Sequence, residues 1–81
     1  MKNILEKVLS GTVDTNIRFL ELRKLVLWLG FKERIKGDHH IYTKTGITDI
    51  INIQPANNSK AKPYQVKQIR NLIHKYKLNK D

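Results

Sequence analysis

The hydrophobic period of this chain changes at Gly30, and that change limits its fold more than any other feature. Before the glycine, Phe19, Leu22, Val26 and Leu29 recur at i, i+3, i+7 and i+10, with Leu25, Leu27 and Trp28 broadening the stripe. This is one face of an amphipathic helix, and Gly30 is placed to stop it as a C-cap would. After the glycine, Phe31, Glu33 and Ile35 alternate with Lys32, Arg34 and Lys36. That two-residue period predicts a strand with one basic face.

The remaining segments extend the pattern. Ile4, Leu5, Val8 and Leu9 have helical spacing over residues 2–9, ended by Ser10-Gly11. Thr12 to Asn16 reads as a polar connector. The start of the second helix stays open, since Asp14, Thr15 and Asn16 are all possible caps. Gly37-Asp38 is a hairpin turn, His39 to Thr43 a returning strand, and Thr45-Gly46 a second turn. Thr48 to Gln54 reads as a third strand and Pro55 to Lys62 as a polar loop. Pro63 suits the first turn of a last helix, whose stripe is Val66, Ile69, Leu72, Ile73 and Tyr76. The order α-α-β-β-β-α predicts an α+β fold, a three-stranded antiparallel sheet packed on helices.

At 81 residues there is room for one modest core. Lys and Arg outnumber Asp and Glu by 16 to 7, a net charge of +9, which favours a polyanion or an acidic partner over a neutral ligand. No apolar run approaches the roughly 18 residues of a membrane span. The first residues are too polar for a secretory signal, and with no cysteine there are neither disulfides nor thiolate metal sites. A cytoplasmic location is expected.

The groups best suited to chemistry are the adjacent His39 and His40, just after the Gly37-Asp38 turn. Strand alternation sends them to opposite faces, but the turn length decides which. A two-residue turn pairs Lys36 with His39 and puts His39 on the basic face with Ile41. A three-residue turn pairs Ile35 with His39, puts His39 with Ile35 and Ile41 on the apolar face, and turns His40 outward. Neighbouring strand residues cannot ligate one ion together, and no compact His/Asp/Glu cluster accompanies them, so no metal site is expected. His74 sits among lysines on a helix flank. Ser10 and Ser59 lie in no nucleophile motif. Lys32, Arg34, Lys36 and Lys44 could follow phosphates from the sheet, and Lys60, Lys62, Lys67 and Arg70 from the loop and last helix. Tyr42, Tyr64 and Tyr76 are too scattered for a base-stacking platform.

Three motifs in order carry a family likeness: Leu29-Gly30-Phe31 closing a helix, Gly37-Asp38-His39-His40-Ile41-Tyr42 after a short strand, and Lys62-Pro63-Tyr64-Gln65-Val66-Lys67-Gln68-Ile69-Arg70 opening the last helix. Over roughly Ile17 to Leu78 the chain resembles HicA-type (YcfA-like) toxins, the small mRNA-cleaving partners in bacterial type II toxin–antitoxin pairs. The resemblance implies a fold similar to the double-stranded RNA-binding domain over residues 17–81, with residues 1–16 as a helical extension and connector. It also implies a metal-independent endoribonuclease without cofactor, mRNA as substrate and a HicB-like antitoxin as partner. The family's single histidine, in a Gly-Ser-His motif, matches His39, so His39 is the expected catalytic residue. Lys32, Arg34, Lys36, Gly37, His40, Lys44, Lys62, Lys67 and Arg70 are the expected RNA contacts. Asp38 departs from the family's usual serine. It either orients or charges His39 or simply fills the turn.

RNA carries its own nucleophile, the ribose 2′-OH. Metal-free cleavage needs a base near that hydroxyl and positive charge around the phosphorane, and a histidine can be that base at neutral pH. On this reading His39 removes the proton while Lys36, Arg34 or Lys44 stabilises the developing charge.

Overall fold

A computed structural model describes residues 1–79. Three helices, α1 (Lys2–Ser10), α2 (Phe19–Trp28) and α3 (Pro63–Tyr76), accompany three strands, β1 (Lys32–Lys36), β2 (His39–Lys44) and β3 (Ile47–Ile53). The strands form one antiparallel sheet in the order β1-β2-β3. The α-β-β-β-α order implied by the resemblance is present, with α1 added in front.

The boundaries follow from local chemistry. The backbone N–H of Arg18 donates to Glu21 Oε1 at 3.1 Å, satisfying the N-cap of α2 through a carboxylate in its first turn. At the other end Gly30 donates to the Leu27 carbonyl and Phe31 to that of Val26, the paired bonds of a Schellman cap. Phe31, expected as the first strand residue, is therefore spent on the cap, and β1 begins at Lys32. Gly30 has φ +98°, and a Cβ there would collide with Lys44 Nζ. α3 starts on Pro63 at its first position. It ends in the same paired geometry, Lys77 to His74 and Leu78 to Ile73, with Lys77 instead of glycine at φ 52°.

The helices cover one face of the sheet. Tyr42, Ile51 and Ile53 on that face meet Leu22 and Leu25 of α2 and Val66 and Ile69 of α3, all fully buried. Ile4 and Val8 bring α1 into the same core. The connector contains a 3₁₀ turn at Asp14–Asn16, and Asp14 accepts a two-pronged ion pair from Arg70 at 3.0 and 3.1 Å. Arg70 Nη1 also donates to the Val8 carbonyl at 3.0 Å, closing the C-terminal end of α1. Gln65, 2% exposed, ties α3 to the residue after β3: its amide donates to the Gln54 carbonyl and accepts from the Gln54 N–H, both at 3.2 Å.

Candidate active site on the open face of the sheet

The hairpin register resolves the alternatives left by the sequence. Lys36 pairs with His39 and Ile35 with His40, the two-residue-turn arrangement, with Gly37 at φ +62° as such a turn requires. Alternation then assigns the faces. Lys32, Arg34, Lys36, His39, Ile41 and Thr43 share the face without helices, joined by Asn52, which pairs with Ile41. Glu33, Ile35, His40 and Tyr42 point to the helical side.

On the open face the His39 side chain is 49% exposed. Its Nδ1 lies 3.1 Å from Asn52 Oδ1 and its Nε2 lies 3.8 Å from Asp38 Oδ1. The Asp38 side chain is 67% exposed, and its other oxygen accepts from Gln54 Nε2 at 3.3 Å. Asp38 therefore both fills the turn and faces the outer nitrogen of the ring. The cross-strand neighbour Lys36 and the diagonal Arg34 are exposed on the same face.

His40 occupies a different environment. Its ring packs edge-on against Phe19, centroids 4.9 Å apart, and Nδ1 donates to Glu33 Oε2 at 3.0 Å. The same carboxylate takes a two-pronged bond from Arg23, both arms 2.8 Å, and the Tyr42 hydroxyl at 2.6 Å. The Arg23 guanidinium, helped by Tyr42 and His40, holds the Glu33 carboxyl down at about 2 against the cost of burial. Burial and the adjacent Glu33 push the Tyr42 hydroxyl far up. Glu33 is therefore ionised, and His40 is one of its required donors.

The basic residues separate into groups. Lys32, Arg34 and Lys36 line the open face, Lys36 directly across from His39 and Lys32 at the far end of β1 opposite Thr43. Lys44 packs by Gly30, on the side of the sheet opposite His39. Lys62 is the half-buried N-cap of α3, and Lys60 donates to Asn16 Oδ1 at 3.0 Å. Arg70, expected as an RNA contact, is only 16% exposed because Asp14 and the Val8 carbonyl occupy its guanidinium. Lys67 is exposed on α3 and lines a groove of about 490 Å³ with Ile50, Tyr64 and Lys75. A second groove of about 420 Å³, lined by Phe19, Leu20, Arg23, His40, Pro55 and Ser59, lies on the helical side. Neither groove contains His39, which sits on an open surface suited to an extended chain. No group of three or more His, Cys, Asp or Glu that could hold a metal occurs among the described residues.

A model of the HicA toxin family of bacterial toxin–antitoxin systems matches residues 20–77. The chain belongs to the HicA toxin family. The match runs from α2 through the end of α3 and leaves α1 and the Asp14–Asn16 turn outside it. No curated protein and no solved structure matches the chain significantly. Membership makes this a toxin of a toxin–antitoxin pair, from a family of mRNA-cleaving toxins that act opposite an antitoxin. No helix among the described residues is long and apolar enough to cross a membrane.

Asn52, Gln54 and the Arg23–Glu33 pair are the site residues that sequence reasoning passed over. Once β3 is known to pair with β2, alternation places Asn52 beside His39. The signal lay in the register, not in the residue type. Glu33 carried a weaker signal, as the lone acid on a strand otherwise basic or apolar.

Proposed function

We propose that this protein is a metal-independent endoribonuclease that cleaves mRNA, with His39 as its catalytic base. The observation that carries the reading is the placement of an exposed imidazole on the open sheet face, directly across from Lys36 and diagonal to Arg34, with Lys32 further along the same face. RNA laid over this face meets the base and the cations together. His39 Nε2 takes the proton of a ribose 2′-OH, and the 2′-oxygen attacks the adjacent phosphorus. The bond to the 5′-oxygen breaks, leaving a 2′,3′-cyclic phosphate and, once that oxygen is protonated, a 5′-hydroxyl. Lys36 and Arg34 stabilise the charge that gathers on the non-bridging oxygens. No second imidazole among the described residues shares the face, so acid–base assistance amounts to about 10²–10⁴-fold, a modest rate that suits a toxin acting on unstructured message.

The RNA contacts supported by geometry are Lys32, Arg34, Lys36 and the Gly37 turn, with Lys67 reached only by RNA that passes over the β3 edge. Arg70 and His40 act in the fold, and Lys44 lies on the opposite side of the sheet from His39. A HicB-like antitoxin with an acidic surface is the partner, covering the same basic face, and both proteins act in the cytoplasm.

The test is cleavage of single-stranded RNA in the presence of EDTA. Wild type should cut and leave cyclic phosphate ends. A 2′-deoxy substitution at the cut position should block the reaction, and His39→Ala should abolish it with the fold unchanged by circular dichroism. Cleavage by His39→Ala, or equal cleavage of DNA, would overturn the reading.

A further inference from the structure

We infer that Asn52 is the positioning residue of His39: it holds the ring in the tautomer protonated at Nδ1 and so leaves the Nε2 lone pair facing the substrate. The inference rests on the proposed role of His39 and adds the group that makes that role possible. The geometry is specific. His39 opens β2 and Asn52 lies on β3, with Ile41 opposite Asn52. The Asn52 amide oxygen is 3.1 Å from Nδ1. An amide oxygen only accepts, so Nδ1 must carry the hydrogen and Nε2 must be the unprotonated nitrogen in the neutral ring. A free imidazole side chain favours the opposite tautomer, with the proton on Nε2, which has no base to offer on its outward side. The bond to Asn52 reverses that preference.

The surroundings assign each face of the ring a task. Nε2 points to the open side, where Asp38 Oδ1 stands 3.8 Å away, too far for a hydrogen bond but close enough to attract the imidazolium formed after proton transfer. The charged groups facing the ring are Asp38 from the turn and Lys36 and Arg34 from β1. β3 and the residue after it present the neutral Asn52 and Gln54. Gln54 holds Asp38 at 3.3 Å, and Gln65 holds the backbone of Gln54, so the turn and the ring are both set from β3. A neutral acceptor at Nδ1 fixes the tautomer without adding charge.

Two measurements test this. First, ¹⁵N chemical shifts of the His39 ring, recorded well above the pH of imidazole titration, should show mainly Nδ1–H in wild type and mainly Nε2–H in Asn52→Ala. A wild-type ring protonated chiefly at Nε2 would overturn the assignment, because the Asn52 amide would then be donating its NH₂ to Nδ1. Second, Asn52→Ala should lower kcat about tenfold at unchanged KM. Asn52→Asp restores an acceptor and adds a charge, so it should recover most of the rate while the acidic limb of the pH profile, set by the base, moves up by as much as about 0.7 pH unit, the equivalent of an exposed ion pair of up to about 1 kcal/mol. Wild-type kcat in Asn52→Ala, or a wild-type pH profile in Asn52→Asp, would overturn the positioning role. His39→Ala separates the two ideas: retained cleavage by that variant removes the catalytic reading, whereas loss of cleavage with Asn52 variants indistinguishable from wild type removes only this one.

Discussion

His39 and His40 are neighbours in sequence and have almost nothing in common in the fold. One faces solvent on a basic surface; the other is a donor to a buried carboxylate. His40→Ala should therefore leave cleavage within a few-fold of wild type while lowering stability by about 1–3 kcal/mol, the range for removing one partner from a buried hydrogen bond. Chemical denaturation beside the RNA assay checks both. Glu33 makes the sharper prediction. Its folded-state pKa of about 2 is depressed from 4.5, so its stabilisation is fully present above the unfolded value and is lost as pH falls from about 4.5 toward 2. Melting temperatures at pH 6 and pH 3 should differ more in wild type than in Glu33→Gln, which should itself be about 2 kcal/mol less stable at pH 6, the scale of a hydrogen bond to a charged group. Asp38 is exposed and not hydrogen-bonded to His39. Asp38→Ser should change the rate by at most about fivefold, the 0–1 kcal/mol scale of an exposed pair.

The elements are ended by two caps of the same geometry and different chemistry. Gly30 closes α2 at φ +98° against Lys44, while Lys77 closes α3 at φ 52°. Only glycine adopts that region without cost. Gly30→Ala should destabilise the protein by about 1–2 kcal/mol through backbone strain at φ +98°, since the Lys44 Nζ it would meet is the end of a flexible side chain that can move aside. Lys77→Gly should leave stability unchanged or raise it by about 0.5–1 kcal/mol. For a domain of this size 1 kcal/mol moves Tm by about 4–8 °C, so calorimetry resolves both signs. The Gly30 cap also governs the site indirectly. It consumes Phe31 and starts β1 at Lys32, the first cation of the open face.

Across the whole molecule some cations are free and some are held. The open face holds the exposed cations Lys32, Arg34 and Lys36, whereas Arg23 is paired with Glu33, Arg70 with Asp14 and Lys75 with Asp49. Asp49 also accepts from the Tyr76 hydroxyl at 2.7 Å, which with Lys75 lowers its pKa and pins the end of α3 to β3. RNA binding should weaken steeply with salt. Replacing Lys32, Arg34 and Lys36 together by Ala should flatten the slope of log K against log salt by about 2–3, at about 0.7–0.9 for every phosphate those side chains neutralise. Arg70→Ala should leave the slope unchanged and loosen α1 instead, seen as faster amide exchange in residues 2–10.

Much of this was legible without coordinates. The period change at Gly30, the Pro63 start and the alternation of 32–36 each rest on spacing within a few residues, so the element order could be read directly. The likeness carried by Gly37, His39, His40 and Tyr42 agreed with the family later matched. What local pattern could not supply was partnership across distance. Arg70 looked like one more cation on α3 until Asp14, 56 residues away in the chain, occupied it. The face of His39 depended on whether the turn held two residues or three, and either choice satisfied the local chemistry. The register, set by burying Tyr42 against the helices, turned His39 outward and placed Asn52 beside it. Sequence alone determined which residues were available for function; tertiary structure decided which were free to perform it, because pairing and side-chain direction are properties of neighbouring strands and helices.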